Sequence, residues 1–80
     1  MKFHDVRLNS KARGRNGSFT AREASVYVGS TVSGQPCIIM DVYSHMRGKM
    51  PPIILELSRQ ESGDLIDALQ DAVDEYDVEC

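Results

Sequence analysis

A short alternating segment that runs within a few residues into an amphipathic helical pattern does most to limit what this chain can fold into. Ile53, Leu55 and Leu57 alternate with Ile54 and Glu56, which is the period-2 mark of a strand. Beyond a polar turn, Leu65, Ile66, Leu69, Ala72, Val73 and Tyr76 recur at helical spacing, and Asp64, Asp67, Asp71, Asp74 and Glu75 fill the opposite side. An apolar stripe of that width needs a surface to lie on, so a sheet with one helix across it is the simplest frame. Ser58 followed by Glu61 is a capping-box pattern at the helix start, and Ser62-Gly63-Asp64 offers a second start one turn later.

The preceding chain supplies the sheet. Residues 2 to 9 read as a strand with His4, Val6 and Leu8 on one side. From Ser10 to Ser18 the chain has no apolar anchor and three close cations, which predicts an exposed loop turning at Asn16-Gly17. Phe19 to Ala24 has two readings, a single helical turn capped by Thr20 and Glu23 or the start of a helix-turn-helix in Thr-Ala-Arg-Glu-Ala. The residues that follow argue against the second, since Val26, Tyr27 and Val28 favour a strand there and Gly29, Gly34 and Pro36 leave no room for a recognition helix. Parity then fixes a hairpin over Ala24 to Ser44. If Ala24, Val26 and Val28 share a face with Ile38, Met40 and Val42, then Val28 pairs with Ile38 and Val26 with Met40. Thr31 meets Gln35 across a three-residue connection, with Gly34 in the left-handed position. The same register sets Tyr27 opposite Ile39 and Glu23 opposite Tyr43 on the other face. His45 to Pro52 reads as a second loop, closed by a proline pair. The expected architecture is α+β: a single domain over residues 1–80, an antiparallel four-stranded meander, and one C-terminal amphipathic helix packed on one face.

Charge is divided along the chain. Residues 1–50 hold eight Lys or Arg against three acids, and residues 51–80 hold Arg59 alone against nine. Such a split predicts a basic or an acidic contact surface, or mutual neutralisation within the fold. Cys37 and Cys80 form neither a metal spacing nor a disulfide framework and read as reduced thiols. No apolar run reaches membrane-span length and the N-terminus lacks a signal-peptide core, so a cytoplasmic protein is expected.

Three surfaces are candidates for function. The acidic helix face, Asp67, Asp71, Asp74 and Glu75, sets like charges at i,i+4 and crowds the negative end of the helix dipole, against stability. It suits a basic groove in a protein or nucleoprotein partner, and serves equally as a solvated face. The sheet face bearing Tyr27, Ile39 and Tyr43 suits a partner or self-association, so a homo-oligomer through that face is open, as is burial beneath the N-terminal segment. The basic segment, Lys11, Arg13, Arg15 and Arg22, reads first as a solvated loop or one folded back on the acidic helix, and second as a grip on nucleic-acid phosphates. His4 and His45 are the only histidines, and no spacing assembles an acid, a base and a nucleophile. No catalytic residue, metal site, cofactor or membrane partner is expected.

In plan, the short sheet with a C-terminal helix of the form Leu57-Ser58-x-x-Glu61 followed by Leu65, Ile66 and Leu69, together with the charge split, resembles the small phage-encoded proteins that inhibit host machinery. Anti-CRISPR proteins are the best-known group of that type. The resemblance implies inhibition by steric or electrostatic blocking, without catalysis. It carries over no individual residue.

Overall fold

A computed structural model describes residues 2–15, 17–44 and 51–79. Four strands and one helix follow in chain order: β1 His4–Gly14, β2 Gly17–Ser30, β3 Pro36–Tyr43, β4 Ile53–Leu57 and α1 Arg59–Glu79. The strands form one antiparallel sheet in the order β1-β2-β3-β4, a meander, and α1 packs against it at β3 and β4. The fold is α+β, as the periodicities require.

The central hairpin has the expected register. Val28 lies opposite Ile38, Val26 opposite Met40, Tyr27 opposite Ile39 and Glu23 opposite Tyr43. The Thr31 amide donates to the Gln35 carbonyl at 2.8 Å and the Gly34 amide to the Thr31 carbonyl at 2.9 Å. Gly34 takes φ +86°, a conformation that any side chain would strain. β4 adds to the other edge of β3, with Leu55 opposite Met40 and Leu57 opposite Ile38. One face therefore carries Val6, Val26, Val28, Ile38, Met40, Ile53 and Leu55, and the other carries Asp5, Ser25, Tyr27, Ile39, Asp41 and Tyr43.

Two expectations are corrected by the first hairpin. The segment from Ser10 to Ser18 is not a loop. β1 runs on to Gly14 and β2 begins at Gly17, and the two strands pair out to these residues as a two-stranded arm; Asn16 of the expected turn lies outside the described residues. Backbone pairing holds this arm, and backbone pairing needs no apolar side chains. Phe19 to Ala24 is strand throughout. Between Arg7 and Ser10 the register shifts, with Leu8 and Asn9 facing the single residue Arg22. Arg22 Nη1 donates to Asn9 Oδ1 at 2.9 Å and so occupies the widened site. The loop expected over His45 to Pro52 falls mostly outside the described residues.

The start of α1 is resolved in favour of Ser58. Its Oγ accepts from the Glu61 amide at 3.0 Å, and Glu61 Oε1 accepts from the Ser58 amide at 2.9 Å. This reciprocal pair satisfies two donors that the first turn leaves open. Ser62 is a member of the helix, its hydroxyl donating to the Ser58 carbonyl at 2.8 Å. Replacing Ser58 with Ala is expected to cost about 1 kcal/mol in chemical denaturation and to fray the first helical turn.

Packing is sparse for a chain of this length. The buried apolar residues among those described are Ala21, Ala24 and Cys37, all small, and no described Leu, Ile, Phe or Tyr is fully buried. Contact between helix and sheet is concentrated at the helix start, where Ser62 is buried and Leu65 is 39% exposed. Farther along the same stripe, Ile66 is 66%, Leu69 60% and Tyr76 67% exposed. Most of the apolar stripe of the 21-residue helix is therefore left open by the sheet it leans on.

Candidate functional site

The acidic face of α1 follows from helical geometry alone. Asp64, Asp67, Asp71, Asp74 and Glu75 fall on the side opposite Leu65, Leu69 and Tyr76, and all five acids are exposed. Two of them are steadied by amide side chains one turn earlier: Gln60 Nε2 donates to Asp64 Oδ1 at 3.1 Å and Gln70 Nε2 to Asp74 Oδ1 at 2.9 Å. The last turn carries no basic residue to offset the dipole. The result is a row of carboxylates with neighbours roughly 5 to 6 Å apart, held on a regular helix. A shallow depression of about 420 Å³ lies at the head of this row, lined by Arg59, Gln60, Gly63, Asp64, Ile66 and Asp67. All its walls belong to one helix, so it is surface relief.

The tyrosine face of the sheet is a cluster tied to its own strands. Asp41 sits at the centre, 6% exposed. Its Oδ2 accepts from the Tyr27 hydroxyl at 3.0 Å and the Tyr43 hydroxyl at 3.3 Å, and its Oδ1 has no hydrogen-bond partner. Directly across the sheet lies Ser25, 2% exposed, whose hydroxyl donates to Asp5 Oδ1 at 2.7 Å. Burial, the hydrogen bond to Asp41 and that carboxylate's charge push the Tyr27 phenol above its ordinary value. The Phe3 ring stacks at a tilt on Tyr27, with centroids 4.8 Å apart. Tyr27, Ile39 and Tyr43 are brought together and half-buried. Their phenols point into the cluster, which leaves ring edges and Ile39 for any contact.

The basic residues fall into an order that the sequence alone did not suggest. Beyond the bulge, Lys11 pairs with Thr20 and Arg13 with Ser18. Alternation then places Lys11 and Arg13 on the same face of the arm as Arg22, while Ala12, Phe19 and Ala21 line the reverse. Arg15 lies at the connection, and all four cations are exposed. Acidic and tyrosine residues form separate sets, one on the helix and one on the sheet. Asp41, Ser25 and Asp5 were missed. A carboxylate between Met40 and Val42, with a serine as its strand partner, was the available signal.

Among the described residues, no group of three or more His, Cys, Asp or Glu side chains is placed to hold a metal ion. Cys37 is a free, buried thiol. No described helix is long and apolar enough to cross a membrane.

Fold and surfaces together define a small α+β domain with an open sheet, a basic arm and an acidic helix. The chain belongs to a family of unknown function, DUF6295, whose match covers residues 1–80. No curated protein and no solved structure matches it.

Proposed function

We propose that this chain is a non-enzymatic cytoplasmic binding protein that inhibits or modulates a larger protein or nucleoprotein complex by presenting the acidic face of α1 to a basic surface. The supporting observation is the row Asp67, Asp71, Asp74 and Glu75, exposed on a regular helix in an arrangement that costs stability through like charges at i,i+4 and an uncompensated dipole. Carboxylates on such a face compete for the cations that otherwise hold nucleic-acid phosphates, and steric and electrostatic blocking follows without chemistry on the partner.

A second reading has its own support. The basic segment is an ordered two-stranded arm with Lys11, Arg13 and Arg22 on one side, and a ribbon of two strands fits the major groove of a duplex. In this reading the chain binds nucleic acid through the arm, with affinity that falls steeply with salt.

Affinity capture from a lysate of the source organism or its host, with and without nuclease, separates the two. A stoichiometric protein that survives digestion, and is lost when Asp67, Asp71 and Asp74 are replaced by Lys, supports the acidic-face reading. Nucleic acid alone, lost on digestion and on replacing Lys11, Arg13 and Arg22 with Ala, overturns it in favour of the arm.

A further inference from the structure

The described residues hide too little apolar surface for a lone chain. No large aliphatic or aromatic side chain among them is fully buried, and the three buried apolar residues are Ala21, Ala24 and Cys37. Domains near this size depend on well-filled cores or on staples, and Cys37 is free. The accessible surface is 6665 Å². A compact monomer of 8.9 kDa is expected to expose only about 4,800 Å². The excess of roughly 1,900 Å² per chain matches the share each partner buries in an obligate homodimer, about 1,000 to 2,500 Å². The same excess shows in the dimensions: the radius of gyration is 14.2 Å. About 11.6 Å is expected for a compact chain of this length.

Apart from single residues such as Phe3, Val32 and Ile54, the uncovered apolar surface lies in two places. On the sheet, Val28 is 64% and Leu55 40% exposed on the face that also carries Val6. On α1, the stripe stays open through Leu69, Val73 and Tyr76. These two surfaces fit each other in size. The stripe from Ile66 to Tyr76 spans about 15 Å at the helical rise, and four strands at their usual spacing span about 14 Å.

We propose that the chain is a homodimer in which the C-terminal half of α1 from each copy seats its apolar stripe on the sheet face of the other. Such a pairing is isologous and closes under a two-fold axis, because each copy supplies both the stripe and the face. A second copy is the occupant that supplies both complements in equal number. The seated helices turn Asp67, Asp71 and Asp74 outward, so the dimer stands apart from the proposed function and does not depend on it.

Sedimentation velocity on the full chain at micromolar concentration tests this. The expected mass is twice 8.9 kDa. A variant with Leu69→Gln and Val73→Gln is expected to lose that mass, while Asp67→Asn, on the opposite side of the helix, keeps it. Both apolar positions are more than half exposed within one chain, and glutamine is a good helix former that adds no like charge to the acidic helix, so these changes leave a self-sufficient monomer folded. Loss of helical circular dichroism together with mass in the double variant therefore also supports the pairing. A wild-type mass of one chain, open-ended growth of mass with concentration, or a double variant that remains dimeric would overturn it.

Discussion

The thermal midpoint of this protein is expected to rise by about 4 °C for each tenfold increase in its concentration. The magnitude follows from the size of the unit that melts. Unfolding entropy is about 2.1 cal/mol/K per residue, so two chains of 80 residues that unfold together release roughly 340 cal/mol/K. A tenfold change in concentration shifts the free energy of dissociation by about 1.4 kcal/mol, and the quotient of the two is the expected shift. The prediction rests on the absence of any fully buried large side chain among the described residues. Burying a Leu or Ile stabilises by about 1.5 to 3 kcal/mol, and without several such contributions a single copy has little to set against chain entropy. A midpoint by circular dichroism that stays fixed over a hundredfold dilution would mean that one copy is stable alone.

Reversing the acidic face is expected to move stability and binding in opposite directions. Replacing Asp67, Asp71 and Asp74 with Lys turns the i,i+4 repulsion of Asp71 with Glu75 into an attraction, while a like-charge pair persists between positions 67 and 71. It also brings a cation near the C-terminal dipole and substitutes a better helix former three times. Together these changes outweigh the lost hydrogen bond from Gln70 to Asp74 and should stabilise the protein by about 1 kcal/mol. Affinity for the captured partner should fall on the order of 100-fold, from three charge contacts of about 1 kcal/mol each. Denaturation and titration calorimetry read the two quantities independently. Retained affinity in a stabilised variant would move the contact away from the helix. A destabilised variant would show that these carboxylates have structural partners.

The parts of the fold that were legible in the sequence are those where side chains record the geometry. Alternation in Ala24–Val28 and in Ile38–Val42 fixed parity, Gly34 fixed the connection, and together they left one register, the one found. Ser58 and Glu61 are spaced for reciprocal capping and the helix begins there. The arm formed by residues 10–14 and 17–20 was illegible because its order comes from backbone pairing, which Lys11, Arg13 and Ser18 neither require nor advertise. The bulge facing Arg22 was hidden for the same reason, and with it the alignment of Arg22 with Lys11 and Arg13. Asp41 gave only a weak sign, since a lone acid in an apolar strand reads as an outward charge until its tyrosine partners are placed. The stripe on α1 was legible as a face needing cover. Periodicity states that a surface is apolar and is silent on which chain covers it, so the sheet of the same copy was the natural expectation. The helix does lean on that sheet, at β3 and β4, but Ile66, Leu69 and Tyr76 remain open.

The most direct measurement is an isotope-filtered nuclear Overhauser experiment on a sample mixed from labelled and unlabelled chains, in which only contacts between copies give signals. The packing predicts cross-peaks from the methyls of Leu69 and Val73 of one copy to those of Val28 and Leu55 of the other. Signals confined to other residues, or none from a sample shown to be monomeric, would contradict the claim that each copy completes the core of its partner.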